Sequence, residues 1–249
     1  SASTPKKNSF FGGAAILTAG IIIVKLIGAL YKVPLGNILT DAGFADFNTA
    51  YDIYSLLIII STGGLPVALS KMVSEANALG RGNQVHKVFQ LAVVAFCILG
   101  TISFLIMAVF PRQLADAMNN SRSYWSILAL APAVFFICPM SALRGYFQGH
   151  SLMTPTAVSQ IIEALCKLGV GLALASFAMK SGAGESLAAA GAILGVSLGC
   201  LLGMVYMLFC YKGHRAHLRP SKDVPGDSRE ILRTLAKLAI PITIGSSII

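Results

Sequence analysis

Residues 88–110 read VFQLAVVAFCILGTISFLIMAVF, an uninterrupted apolar stretch of 23 residues without a charged side chain. A helix that crosses a lipid bilayer needs about 20 mostly apolar residues, so this stretch predicts a membrane-spanning helix. The whole chain has the same character. Of its 249 residues, 55% are hydrophobic and 12% are charged, and the mean hydropathy is +0.75. A soluble domain carries about 25% charged residues, so this composition excludes a soluble fold.

Five further stretches are long and apolar enough to span a membrane. Together they predict six helices: Phe10–Tyr31, Ile53–Ser70, Val88–Phe110, Trp125–Leu143, Pro155–Met179 and Leu187–Tyr211. The first is longer than the apolar core of a cleaved signal peptide, and no small-residue cleavage site follows it. A seventh apolar stretch begins near Leu235 and stops at Ile249, which is too short to span. We therefore expect the front portion of a longer protein, with a six-helix transmembrane lobe over residues 1–211, a basic linker over 212–236 and the start of a seventh span over 237–249.

The net charge of +9 is arranged as membrane orientation requires. Lysines and arginines lie in short runs between apolar stretches without an aromatic platform among them, so nucleic acid is not an expected partner. With the N terminus in the cytoplasm, the cytoplasmic segments hold thirteen basic residues, from Lys6 to Lys237, and the outer segments hold four. The positive-inside rule therefore predicts a cytoplasmic N terminus in a multi-pass plasma-membrane protein.

Within the linker, residues 229–238 have the pattern of an amphipathic helix. Asp227 and Ser228 provide the residue types that cap a helix N terminus, and Ile231, Leu235 and Leu238 share one face. We expect this helix to lie on the membrane surface, held by anionic lipid headgroups.

The fifth predicted span carries a polar stripe formed by Thr156, Gln160, Glu163 and Lys167, which are spaced by four, three and four residues. At about 1.5 Å of rise per residue, Lys167 lies roughly 17 Å deep, near the midplane. Polar residues at that depth usually face a bundle interior or a wet cavity. The spacing allows two interpretations: an ion pair between Glu163 and Lys167 that joins helices, or a stripe that lines a cavity. We favour the cavity-lining stripe, because Thr156 and Gln160 extend it beyond the pair.

The first span adds Lys25 and Lys32, which are seven residues apart on nearly one face. Lys32 lies at the outer boundary, where its side chain can reach the headgroups. Lys25 lies about 22 Å from the inner end, close to the expected depth of Lys167. Two lysines at one depth on different helices could bind one anionic ligand.

Helix-breaking and small residues mark three other spans. Gly63, Gly64 and Pro66 are expected to interrupt span two, and Pro132 and Pro139 to interrupt span four. Such breaks occur at the binding sites of transporters but are also ordinary packing kinks. In span six, four glycines form a ridge that allows close helix approach, at positions 191, 195, 199 and 203.

The sequence contains no catalytic constellation. It has no GxSxG, P-loop or HExxH motif, so we do not expect an enzyme or a bound cofactor. The five cysteines lie in apolar stretches without CxxC pairing and are interpreted as packing residues. His214 and His217 lack further ligands at a useful spacing, so no metal site is expected.

Two segments carry a family resemblance. Residues 63–75 read GGLPVALSKMVSE, and residues 144–149 read RGYFQG, followed by MTPTA at 153–157. With Lys25-x-x-Gly28-Ala29 in span one, they resemble the stage V sporulation protein B and MurJ-like branch of the multidrug/oligosaccharidyl-lipid/polysaccharide exporter superfamily. The resemblance implies an all-α integral membrane protein: the six-helix N-terminal lobe of a two-lobe transporter that works by alternating access, followed by the start of span seven.

The resemblance also implies roles for particular residues. Lys25 and Lys32 fall where MurJ-type members carry basic residues late in span one, and Asp46 matches an acidic residue near the start of span two. Asp46 and Arg144 are candidates for coupling or gating. The basic residues that MurJ proteins carry in the middle of span two are replaced here by Leu57, Ile58 and Ile59, which makes the sporulation-type branch the closer match.

Together, the charges and the resemblance predict a flippase for a saccharide linked to undecaprenyl diphosphate, with lipid II as the first choice, in a bacterial plasma membrane. Lys25, Lys32, Gln160, Glu163 and Lys167 are the expected substrate-binding residues, and the coupling ion is not identified by the sequence. Two alternatives stay open: a drug/cation antiporter of the same superfamily, and a membrane scaffold for cell-wall synthesis that transports nothing.

Overall fold

The computed structural model describes residues 7–62, 64–216 and 221–247, and all regular elements in these ranges are helical. The helices are α1 (Lys7–Ile38), α2 (Asp41–Thr62), α3 (Leu65–Ala78), α4 (Gly82–Val109), α5 (Pro111–Ala117), α6 (Tyr124–Gly149), α7 (Thr154–Cys166), α8 (Leu172–Lys180), α9 (Glu185–Ala216) and α10 (Ser228–Ser247). A short π-helical segment, Lys167–Gly171, joins α7 to α8. Several residues used in the sequence argument lie outside the described ranges: Lys6, Gly63, His217, Arg219 and Ile249.

Five segments of the described chain are long and apolar enough to cross a membrane: residues 12–38, 82–109, 121–149, 154–180 and 185–216. They correspond to predicted spans one, three, four, five and six. The second predicted span is divided into α2 and α3, with Gly64 at the break and Pro66 in the first turn of α3. The interruption expected in span two is therefore present.

Close packing of α10 explains the glycine at this break. A Cβ atom on Gly64 would overlap the carbonyl oxygen of Ala239 in α10. The Gly64 N–H donates to the Thr243 hydroxyl at 2.8 Å. Because a buried amide without a partner is costly, this bond stabilises the broken backbone.

The prediction that span four is interrupted is wrong. Pro132 and Pro139 both lie inside α6, which continues from Tyr124 to Gly149. This helix packs against α2, α3, α4 and α9 and supplies many of the fully buried side chains. Proline is tolerated within a membrane helix that neighbouring helices surround in this way.

The glycine ridge of α9 packs against the segment from α7 to α8, as expected from the sequence. A Cβ on Gly199 would lie 2.9 Å from the carbonyl oxygen of Glu163, and Gly195 meets Gly171 in the π-helical segment. All four ridge glycines are buried. The ridge therefore places α9 directly behind the polar stripe.

The linker differs from its prediction. Helix α9 continues to Ala216, and α10 runs without interruption from Ser228 to Ser247, so the amphipathic residues are the first turns of one longer helix. Ile231 and Leu235 are buried, with α10 packed on α3 and α4. The apolar face of this helix therefore packs on α3 and α4, and the expected contact of the helix with anionic headgroups stays a prediction.

The segment before α10 docks on the start of α4. The Asp223 carboxylate accepts the backbone N–H of Asn83 at 2.9 Å and of Gln84 at 2.8 Å. The Asn83 side chain in turn donates to the carbonyl oxygens of Ser221 and Asp223. Desolvation alone would raise the pKa of Asp223, but the hydrogen bonds from Ser221, Asn83 and Gln84 outweigh it and lower the pKa.

Candidate functional site

Two adjoining cavities lie where α1, α2 and α7 approach one another. The first, of about 390 Å³, is also bounded by α6 and α9, and the second is about 350 Å³. Four residues line both cavities: Lys25, Gly28, Tyr31 and Lys167. Helix α1 approaches α7 closely at Gly20, where an added Cβ would be 2.9 Å from the Cβ of Ala157. This contact positions Lys25, little more than one turn later, beside α7.

All five expected substrate-binding residues lie at these cavities. Lys25, Gln160, Glu163 and Lys167 line the first, and Lys32 joins Lys25 and Lys167 in the second. Thr156 is the exception in the polar stripe, because it is 1% exposed and buried in the protein. The stripe therefore faces the cavity only from Gln160 onward.

Among the described residues, no carboxylate lies within 4.0 Å of the three lysine ammonium groups. The described part of the chain contains three ion pairs with an N–O distance of 4.0 Å or less, and none of them involves Lys25, Lys32 or Lys167. The lysine side of the cavity is therefore positively charged, and it can offer these ammonium groups to an anion.

Of the two interpretations of the polar stripe, the ion pair between Glu163 and Lys167 is wrong. Glu163 instead pairs with Arg144 of α6, whose side chain is 13% exposed. Arg144 also donates to the Ser159 hydroxyl, from Nε at 3.2 Å and from a terminal nitrogen at 3.0 Å. A guanidinium has a rigid set of donors that can bind a carboxylate and a hydroxyl together, so this pair links α6 to α7.

Lys167 lies among aromatic rings instead. Its Nζ is 4.6 Å from the ring centre of Tyr51, 4.8 Å from that of Tyr31 and 5.7 Å from that of Phe47. It also donates to the Tyr51 hydroxyl at 3.2 Å. These distances are those of cation–π contacts. Lys167 is the first residue of the π-helical segment, a type of irregularity that often occurs at functional sites.

Sequence reasoning missed this aromatic wall. Phe47, Tyr51 and Tyr54 project from one face of α2, and their rings contact one another with centres 5.3 and 5.6 Å apart. Their spacing of four and three residues is the signal that could have identified the wall. An apolar aromatic stripe is ambiguous in a membrane protein, however, because lipid-facing and cavity-facing helices both carry such residues.

Asp46 lies away from the lysines, at the end of the bundle where α2, α6 and α9 begin. It is 1% exposed, and its carboxylate is 3.7 Å from Nε of Arg122, which also pairs with Glu185 at 3.3 Å. The Ser186 hydroxyl donates to the Arg122 carbonyl oxygen at 2.6 Å. Asp46 thus belongs to an ion-pair cluster that joins three segments, whereas the other gating candidate, Arg144, lines the cavity itself.

Residues 10–249 match the family model described as polysaccharide biosynthesis protein. The chain belongs to this family. Stage V sporulation protein B of Bacillus subtilis is 30% identical over 210 residues, which are 83% of this chain and 40% of that protein. The uncharacterized membrane protein YabM of the same organism is 27% identical over 245 residues, 97% of this chain and 45% of YabM. Lipid II flippase MurJ of Bacillus subtilis is 31% identical over 165 residues, 63% of this chain and 30% of the flippase.

Solved transporter structures share the fold of this polysaccharide biosynthesis family member. A MOP superfamily transporter from Pyrococcus furiosus superposes with a TM-score of 0.74 at 15% identity and covers 98% of this chain. A MATE protein in complex with MaD3S gives a TM-score of 0.72 at 16% identity and 97% coverage. The expected fold class and the expected superfamily are thereby confirmed. The chain spans less than half the length of the curated relatives that it matches.

Proposed function

We propose that the full-length protein is a flippase that moves a saccharide linked to undecaprenyl diphosphate from the cytoplasmic to the outer leaflet of a bacterial plasma membrane. One observation carries the proposal: Lys25, Lys32 and Lys167 share adjoining cavities within the spans, and none has a carboxylate partner among the described residues. Charged groups inside a membrane are costly and usually functional.

The chemistry of a diphosphate bridge suits this site. Its negative charge must leave water to cross the bilayer, which is expensive unless a cation compensates for the lost hydration. Charge-assisted hydrogen bonds from ammonium groups to phosphate oxygens are among the strong ones. Lysine provides a point charge on a flexible stem, which suits a headgroup that moves through the cavity during transport.

Lipid II is the first choice of cargo because a relative in the comparison is named lipid II flippase MurJ. The membrane lipids themselves are the other expected partner. We place the N terminus in the cytoplasm because of the distribution of basic residues.

Asp46 and Arg144 are proposed to act in gating by exchanging ion-pair partners when the two lobes move relative to each other. Asp46 would release Arg122, and Arg144 would release Glu163.

A cation antiporter would need free aromatic faces and a free carboxylate. The Lys167 ammonium already lies over two tyrosine rings, and Glu163 is paired with Arg144. A cationic cargo is therefore disfavoured. A membrane scaffold is distinguished by experiment, because a scaffold moves no lipid.

The test uses full-length protein reconstituted in liposomes that contain lipid II. With the wild-type protein, lipid II should become accessible on the opposite leaflet, and the rate should fall in Lys25→Gln. The control is Lys180→Gln at the end of α8, in which the rate should be unchanged. Native mass spectrometry of the purified protein should detect a co-purified polyprenyl-diphosphate lipid. Unchanged lipid movement in Lys25→Gln, or none with the wild-type protein, would contradict the proposal.

A further inference from the structure

Lys167 places a cation inside the lobe, and aromatic rings surround its ammonium group. Glu163, four residues earlier, could provide a carboxylate, but it pairs with Arg144 of the neighbouring helix. A carboxylate at Lys167 would cancel its charge and compete with any anionic ligand. Aromatic rings attract a cation through their quadrupole and carry no net charge.

We propose that Tyr51 is a positioning residue whose ring and hydroxyl hold the Lys167 ammonium toward the cavity, where the ammonium can bind a phosphate group. This inference rests on the proposed function. Through Tyr51, helix α2 would contribute to anion binding by fixing the position of a lysine that binds the anion.

Tyr51 is better placed for this role than the other two rings. It offers Lys167 both a ring face, with the centre at 4.6 Å, and a hydroxyl acceptor at 3.2 Å. Tyr31 offers its face at 4.8 Å, and Phe47 is farther away at 5.7 Å. The Tyr51 hydroxyl accepts from Lys167 while the ring lies beneath the same ammonium group, so one side chain restrains that group in two ways.

The Tyr51 ring is itself fixed by its neighbours. It stacks on Phe47 with an interplanar angle of 22° and meets Tyr54 edge to face. Phe47 and Tyr54 are 6% and 7% exposed, so both neighbours are anchored in the packed interior. A ligand arriving in the cavity therefore meets an ammonium group whose position is already set, which lowers the entropy cost of binding.

The experiment measures binding of undecaprenyl diphosphate to the full-length protein in nanodiscs, with undecaprenol as the uncharged comparison. The cost of ordering one flexible side chain when the ligand binds predicts that Tyr51→Leu weakens binding about two- to ten-fold. Tyr51→Phe retains the ring and loses the hydroxyl, so its loss should be smaller. Undecaprenol binding should not change in either variant. The control is Tyr124→Leu, which removes a ring 5.5 Å from the Arg112 guanidinium at the end of the bundle and should leave binding unchanged.

A double-mutant cycle separates positioning from general stability. If Tyr51 acts through Lys167, Tyr51→Leu should have no further effect in a Lys167→Gln background, whereas a structural defect would weaken binding in both backgrounds. If Tyr51→Leu does not fold, Tyr51→Phe carries the same cycle, with a smaller loss that again requires Lys167. Normal binding in the Tyr51 variants combined with weak binding in Lys167→Gln would overturn the positioning role alone. Normal binding in Lys167→Gln would contradict the proposed function at this site.

Discussion

The ion pair between Arg144 and Glu163 gives a stability prediction that can be worked out from the structure. Both side chains are largely buried, at 13% and 20% exposure, and the pair joins α6 to α7. Removing one partner of a buried pair costs about 3–5 kcal/mol because the other charge is left without compensation. In Glu163→Leu the Ser159 hydroxyl would still accept two hydrogen bonds from Arg144. We therefore expect Glu163→Leu to lower the free energy of unfolding by an amount at the lower end of this range, about 3 kcal/mol.

The assay is chemical unfolding of the purified full-length protein in detergent micelles. Glu185→Leu is the matched control, because it removes a carboxylate from Arg122, whose side chain is 56% exposed. An exposed pair contributes at most about 1 kcal/mol. The double variant Arg144→Leu/Glu163→Leu should recover most of the lost free energy of unfolding, since no isolated charge is left inside the protein. Equal losses in Glu163→Leu and Glu185→Leu, or no recovery in the double variant, would refute this reasoning.

Three further predictions concern packing, docking and topology. Gly199→Leu should prevent the approach of α9 to α7 and reduce the yield of folded protein; normal yield with lost transport would contradict the packing role of the ridge. Because its folded-state pKa is lowered, Asp223 keeps residues 221–226 docked at neutral pH, and this stabilisation is lost only as the pH falls through that pKa. Asp223→Asn should therefore speed hydrogen exchange of the α4 N terminus at neutral pH, and exchange as slow as in wild type would contradict the docking. A cysteine at Ala183 should react with an impermeant thiol reagent from outside the cell and one at Lys222 should not, and the reverse pattern would overturn the orientation.

Local patterns in the sequence were sufficient for most of the helices. Apolar length predicted five of the six expected spans, and the small residues of α9 predicted its close contact with α7, because both properties depend on neighbours along one helix. The same local reasoning failed for Pro132 and Pro139, whose effect depends on the helices that surround α6. It did not decide what Leu235 contacts, because the amphipathic face could have met lipid or protein with the same pattern.

Long-range partners limited the prediction of the site. The spacing of Glu163 and Lys167 places both residues on one helix face, and both line one cavity. The same spacing also allowed a pair between them, which forms only where no other cation competes for the carboxylate. Arg144 is 19 residues earlier and approaches from α6, so no helical periodicity could reveal it. Tyr51 is 116 residues from Lys167 for the same reason.

The most direct test of the proposed site is a double-mutant cycle on Lys25 and Lys167, measured as binding of a diphosphate-linked polyprenyl lipid to the full-length protein. A hydrogen bond to a charged partner contributes about 1.5–3 kcal/mol, so Lys25→Gln and Lys167→Gln should each weaken binding by roughly one to two powers of ten without changing protein levels. Both residues line the same two cavities. If they bind one diphosphate together, the double variant should lose less than the sum of the two single losses. Strictly additive losses, or normal lipid binding in either single variant, would show that the two lysines do not share a ligand.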